Sequence, residues 1–168
     1  MKNVLIGFFL LLGSYASAQT DQQEINEQVW KPFTKAIMSQ DVAAFVGVHS
    51  KELIRAERND KRVLSLEEYK KRMEKGWPAW KESIQKKEIR YVFELRFLER
   101  ISNGTLAYEV GYFKNESTQL NGEKEIYYGQ FQVALRKENG LWKILVDADF
   151  NENNTITAKE FLAARPLE

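Results

Sequence analysis

From Glu88 onward the chain alternates apolar and polar positions with a period of two. Ile89, Tyr91, Phe93, Leu95 and Phe97 alternate with Arg90, Glu94 and Arg96. Further runs place Leu106, Tyr108, Val110 and Tyr112, then Tyr127, Phe131, Val133 and Leu135, then Trp142, Ile144 and Val146 on single faces. Each run reads as a half-buried strand. Asn103-Gly104, Asn121-Gly122 and Asn139-Gly140 separate the runs, and Asn-Gly tolerates the positive φ of tight turns. The expectation is an antiparallel meander. Before Glu88 the period is helical. Ile25, Val29, Phe33, Ala36 and Ile37 recur at one-turn spacing beside Trp30, with Pro32 disturbing that helix or marking a shift in its start. Gln40-Asp41 opens a second, short helix, Val42 to His49. Ser65 and Glu68 form a capping box for a third, predicted to stop at Gly76 and Pro78. The final Thr157-Ala-Lys-Glu160 is another capping box and predicts a short C-terminal helix. Helices first and strands afterwards is an α+β plan.

The first 18 residues stand apart. Lys2 precedes an apolar run from Val4 to Leu12, and Ala16-Ser17-Ala18 supplies a small-residue cleavage site. This is a secretory signal pattern, too short to span a bilayer. The expected product is exported, periplasmic or extracellular, with one domain over 19–168 and no membrane anchor. Removing Lys2 from the 25 basic residues leaves 24 against 24 acidic, so no global charge draws the chain to nucleic acid. The basic run Lys70, Lys71, Arg72 and Lys75 reads as a wet helix face. With no Cys and one His, stability rests on the core, and a zinc site or Cys-His nucleophile is essentially excluded.

Three helices, then long strands ending in Gly140-Leu-Trp142-Lys-Ile144, resemble the nuclear transport factor 2-like superfamily, with its SnoaL-like and ketosteroid-isomerase-like members. The stretch "FTKAIMSQDVAAFVGVHSKELI", Phe33 to Ile54, resembles the first helix pair of that group. The resemblance implies a cone-like roll, with three N-terminal helices packed on a curved antiparallel sheet around an apolar pocket. It also implies pairing of copies through the sheet. The isomerases of the group use a carboxylate base after the second helix and a Tyr on the first. Glu57 falls near the base position, but Phe33 stands where the Tyr would be, and a phenyl ring cannot donate to an enolate.

The functional expectation is therefore a non-catalytic module that binds an apolar small molecule or a protein, without an organic cofactor. Trp30, Phe33, Tyr91, Tyr108, Tyr112, Tyr127 and Trp142 are its candidate pocket residues, since aromatic rings build both pockets and cores. An isomerase, hydratase or cyclase using Glu57 or His49 is the first alternative. The second is a calcium-stabilised module. Asp149, Asn151, Asn153, Thr155, Thr157 and Glu160 occupy the ligand positions of a twelve-residue EF-hand loop. Against that stand the strand preceding the loop, where an EF-hand has a helix, and a Glu160 already explained by the capping box.

Overall fold

The computed structural model describes residues 20–151 and 154–168; the expected signal segment and Asn153 lie outside them. The first helix, α1, covers 20–39. It is interrupted by a π-helical turn, Asn26–Trp30, closed by the Lys31 N–H on the Asn26 carbonyl, and resumes as Lys31–Ser39. Pro32 sits just after the widened turn. The widened turn shifts the hydrogen bond at Lys31 from the fourth to the fifth preceding carbonyl, and a residue without an N–H is tolerated at that break in the α ladder. Gln40 adopts φ 51° and ends α1. Asp41 then caps α2 (Val42–Gly47) by accepting from the Ala44 N–H at 3.0 Å.

Helix α3 spans Leu66–Lys86, capped by Ser65 and Glu68 as expected, and it runs through Pro78 instead of stopping there. The reason is tertiary. Trp77 packs edge-on against Phe45 at 5.1 Å, and Trp80 against Tyr91 at 4.9 Å. These contacts hold both sides of the proline and offset the hydrogen bond it removes.

Among the described residues, strands β1 (His49–Glu57), β2 (Arg62–Leu64), β3 (Arg90–Ser102), β4 (Leu106–Thr118), β5 (Lys124–Glu138), β6 (Leu141–Phe150) and β7 (Arg165–Pro166) form one sheet in the order β2-β1-β6-β5-β4-β3-β7. The meander is β3 to β6. Asn139 and Gly140, at φ 51° and 83°, make its tightest turn. The departure from the expected plan is β1 (His49–Glu57). It is a strand beginning where a helix was predicted to end, and it pairs with β6 in parallel. Hairpin partner β2 (Arg62–Leu64) completes that edge.

The core lies between the helices and the inner face of the sheet, built from Ile25, Val29, Trp30, Phe45, Leu95, Phe97, Phe131, Leu135, Trp142 and Ile144. Two glycines let aromatic rings lie flat across neighbouring strands. Gly111 faces Phe131 and Gly129 faces Phe113; a Cβ on Gly129 would stand 2.2 Å from the Phe113 ring. Glu109 is buried in the same core. It accepts from Trp30 Nε1 at 2.6 Å and Arg100 Nε at 2.8 Å, fastening α1 to the sheet. Burial pushes its carboxyl above the usual range, against the pull of Arg100 and Trp30.

The C-terminal helix, α4 (Ala158–Ala163), has its predicted capping box. Phe161 packs on Tyr128 and on Arg96, and β7 (Arg165–Pro166) pairs with β3. The tail thus covers part of β3–β5, while Ile101 and Leu106 at the other end of β3 and β4 remain exposed. No helix among the described residues is long and apolar enough to cross a membrane.

Candidate functional site

A cavity of about 280 Å³ lies between the helices and the sheet. Its walls follow from helical and strand periodicity. Trp30, Phe33 and Ile37 come from α1, Tyr69, Met73, Trp77 and Trp80 from one face of α3, and Phe93, Leu95, Phe113, Phe131 and Val133 from the sheet. The polar part of the lining is Arg55 and Glu57 on β1, Asn115 on β4, and Asp147 and Asp149 on β6. A register shift in the β5–β6 pairing, between Ala134 and Leu135, sets up this last pair. A bulge of this kind re-aims a strand's side chains. Trp142 and Ile144 are fully buried, Val146 is half-buried, and Asp147 and Asp149 join the cavity wall.

Arg55 is the hub. Its Nη1 lies 2.9 Å from Asp147 Oδ1, its Nη2 bonds Asp149, and its Nε stands 4.0 Å from Glu57 Oε1. The guanidinium also lies 5.0 Å from the centroid of the Tyr69 ring. Arg55 is buried, and its Nε carries no hydrogen-bond partner. Glu57 is drawn outward by Arg72, with Arg62 at 3.6 Å. It is thus a buried, paired carboxylate at the cavity and not the freely solvated charge that its sequence neighbours suggest.

The two aspartates differ. Burial works to raise the Asp147 pKa, but Arg55 and His49 outweigh it and hold the carboxyl below its ordinary value. For Asp149 burial prevails, helped by Asp147 and Glu57, and its pKa is raised despite Arg55. His49 lies behind Asp147, outside the lining. Its Nδ1 is 2.8 Å from the Phe45 carbonyl, which places the N–H on Nδ1, and its buried Nε2 stands 3.8 Å from Asp147 Oδ2 without a hydrogen bond.

Of the aromatic candidates, Trp30 and Phe33 line the cavity. Tyr91 stands beside it, its hydroxyl bonded to the lining residue Asn115, and burial raises its pKa. Tyr127 packs on the lining ring of Phe113 at 5.9 Å but is exposed. Tyr108 is exposed, Tyr112 is half-buried outside the lining, and Trp142 is buried elsewhere, donating from Nε1 to Glu24 at 3.1 Å. In the loop proposed for calcium, Asp149 is engaged by Arg55 in the cavity and the Glu160 carboxylate by Thr157. Asn151 bonds Asn59 and Asn154, and Thr155 and Thr157 are exposed. Among the described residues no cluster of three His, Cys, Asp or Glu is arranged for a metal.

The sequence points to Glu57 and Asp149 singly, but not to their gathering with Arg55 and Asp147, because the strand that carries Arg55 and Glu57 is not legible as one. From Leu53 to Glu57 the strand alternates in burial, yet two of its three buried positions there are Arg55 and Glu57. A period-two search for apolar residues passes over it. The one usable signal was the co-occurrence of Arg55 and Glu57 with Asp147 and Asp149, charged i, i+2 pairs ending two strands.

No family model and no curated relative matches the sequence. Solved structures do. A nuclear transport factor 2-like protein of unknown function from Shewanella oneidensis superposes with a TM-score of 0.59 at 18% identity, covering 78% of this chain and 98% of that one. Another, from Pseudomonas putida, gives 0.57 at 11% identity over 83% and 94%. A ketosteroid isomerase-like protein from Erwinia carotovora gives 0.54 at 12% identity over 74% and 92%. Such identities speak for architecture alone, and on that ground the chain has the nuclear transport factor 2-like fold.

Proposed function

We propose that the protein is an exported, non-catalytic module that binds one compact, largely apolar molecule in the cavity. The observation that carries this reading is a cavity walled by aromatic rings with its charged groups gathered at one end. That distribution is the one small-molecule sites use, an apolar body for affinity and a few polar groups for orientation. At about 280 Å³ the cavity equals the liquid volume of roughly nine waters, which suits a single ring system. Export rests on the pattern of residues 1–18.

Trp77 and Trp80 line the cavity and report its occupancy. The test is a fluorescence titration of the 19–168 chain with one- and two-ring aromatic compounds, alongside Val133→Phe, which places a ring in the same space. Saturable quenching in the wild type that Val133→Phe abolishes supports the reading. Quenching that persists in the variant places the ligand elsewhere and refutes it.

A second reading has its own observation. Asp147 and Asp149 are pushed in opposite directions, the pattern that separates acid from base in carboxylate pairs. Under it Asp149 carries the proton, because Glu57 is tied to Arg72 and His49 lies outside the lining. Turnover of a bound compound by the wild type and not by Asp149→Asn would establish that role. Binding without turnover would remove it.

A further inference from the structure

The cavity's charge pattern narrows the class of molecule, given the binding reading above. Among the described residues, three carboxylates, Glu57, Asp147 and Asp149, share the lining with one cation, Arg55. That guanidinium is already engaged by Asp147 and Asp149 through its terminal nitrogens. An anionic ligand would therefore face surplus negative charge and find no free cation among the described residues of the lining. Arg62 and Arg72 approach Glu57 from outside the lining and are about half exposed, so solvent screens them more than it screens the interior. The rest of the wall presents aromatic rings, whose faces attract cations electrostatically. Tyr69 already receives Arg55 in this way, and Trp77, Trp80, Phe93 and Phe113 line the remaining space.

A second, independent feature points to an occupant. Arg55 Nε, in a residue of the lining, is a buried donor with no hydrogen-bond partner, its nearest carboxylate being Glu57 at 4.0 Å, and a buried N–H of this kind is completed by an acceptor. A ligand oxygen next to a cationic group would meet both demands.

We propose that the cavity takes a small organic ammonium compound, an amine on an aromatic or alicyclic body with an ether or hydroxyl oxygen beside it, its cationic group held at Asp149 and Glu57 and that oxygen accepting from Arg55 Nε. A carboxylic acid of the same shape is excluded, and a neutral analogue binds more weakly.

The experiment uses the 19–168 chain and three probes of matched shape that share an ether oxygen, 2-phenoxyethylamine, 2-phenoxyethanol and phenoxyacetate. Binding is followed by calorimetry and tryptophan fluorescence at pH 7 and low salt. Ligands of this size bind in roughly the millimolar range. The expected order is amine, then alcohol, then acid, with the amine ahead of the alcohol by on the order of tenfold. In Asp149→Asn the amine falls to within about threefold of the alcohol, while the alcohol is unchanged. Glu57→Gln is the second variant and acts in the same direction. An alcohol or acid that binds as tightly as the amine overturns the cationic assignment and leaves the pocket reading standing. An amine preference untouched by both variants overturns it too, since the carboxylates are then not its source. Binding of none of the three overturns the pocket reading itself, and this inference with it.

Discussion

Gly129→Ala tests whether the cavity wall is set by a glycine lying under an aromatic ring. The new methyl carbon would stand 2.2, 2.5 and 3.0 Å from three atoms of the Phe113 ring. Ordinary carbon contact is about 3.5–4.0 Å, so the ring must withdraw by more than 1 Å. It is flanked by Phe93 at 6.1 Å and Tyr127 at 5.9 Å between centroids, and the open direction is the cavity that it lines. Overpacking of this kind costs about 1–3 kcal/mol, offset by about 0.5–1 kcal/mol because alanine is less flexible than glycine in a strand. The net loss is up to about 2.5 kcal/mol, a fall in Tm of up to roughly 10 °C for a domain of this size. The decisive assay is a double-mutant cycle of melts with Phe113→Leu. Removing the ring should erase the steric part of the alanine's penalty, a coupling of about 1–3 kcal/mol. Gly111→Ala is the internal control. Its Cβ would meet the Arg96 backbone oxygen at 2.1 Å as well as the Phe131 ring, so Phe131→Leu should not rescue it. An equal penalty for Gly129→Ala with and without the Phe113 ring, or none in either, would refute the reasoning.

The buried Asp147 and the half-buried Asp149 should respond oppositely to substitution and pH. Asp147 has a depressed folded pKa, so its contribution is present above the unfolded value near 3.8 and is lost as pH falls through the folded one. Asp147→Asn should therefore lose about 3–5 kcal/mol near pH 7 by urea denaturation, as breaking a buried ion pair does. Asp149 has a raised folded pKa, so its contribution is full below 3.8 and is lost as pH rises through the folded value; Asp149→Asn should cost under about 1 kcal/mol at pH 7. Pro78→Ala should raise Tm, since it restores a donor inside α3 that proline removes at a cost of up to about 3 kcal/mol; an unchanged or lower Tm would mean the backbone there has already adapted. Calcium at about 10 mM should leave the melt unchanged, because Asp149 and Glu160 are engaged by Arg55 and Thr157. A shift of several degrees that is lost in Glu160→Gln would instead show that the loop binds metal in the range of extracellular modules.

The meander, the helix caps and the order of helices before strands were legible because each leaves a local mark. Asn139-Gly140 needs only its own backbone preference to make a turn, and Ser65 with Glu68 only each other to start a helix. The site was less legible because its parts are defined by distant partners. Arg55 is buried only because Asp147 and Asp149 arrive on another strand, and those two reach the cavity beyond a register shift that no residue type announces. Trp142 shows the converse. Its alternation with Ile144 placed it correctly on an inward face, but periodicity does not say which stretch of that face borders empty space. Pro78 was read as a stop because proline disfavours helix interiors, and the packing of Trp77 and Trp80 on either side overrode that preference.

The parallel pairing of β1 with β6 has a kinetic consequence. Hairpins of the meander close over short loops, whereas Arg55 and Asp147 are 92 positions apart. Closing a segment of that length carries roughly 1.5 kcal/mol more chain entropy than closing a 15-residue hairpin. Early nucleation therefore belongs to β3–β6, and β1 joins late, backed on its far side only by the three residues of β2. Substitutions in β1 should speed unfolding far more than they slow refolding. A molecule bridging Glu57 and Asp149 would tie the last-docked strand to the nucleus and act mainly as a brake on unfolding, so the occupied protein would outlast the empty one by lifetime even where their melting curves differ little.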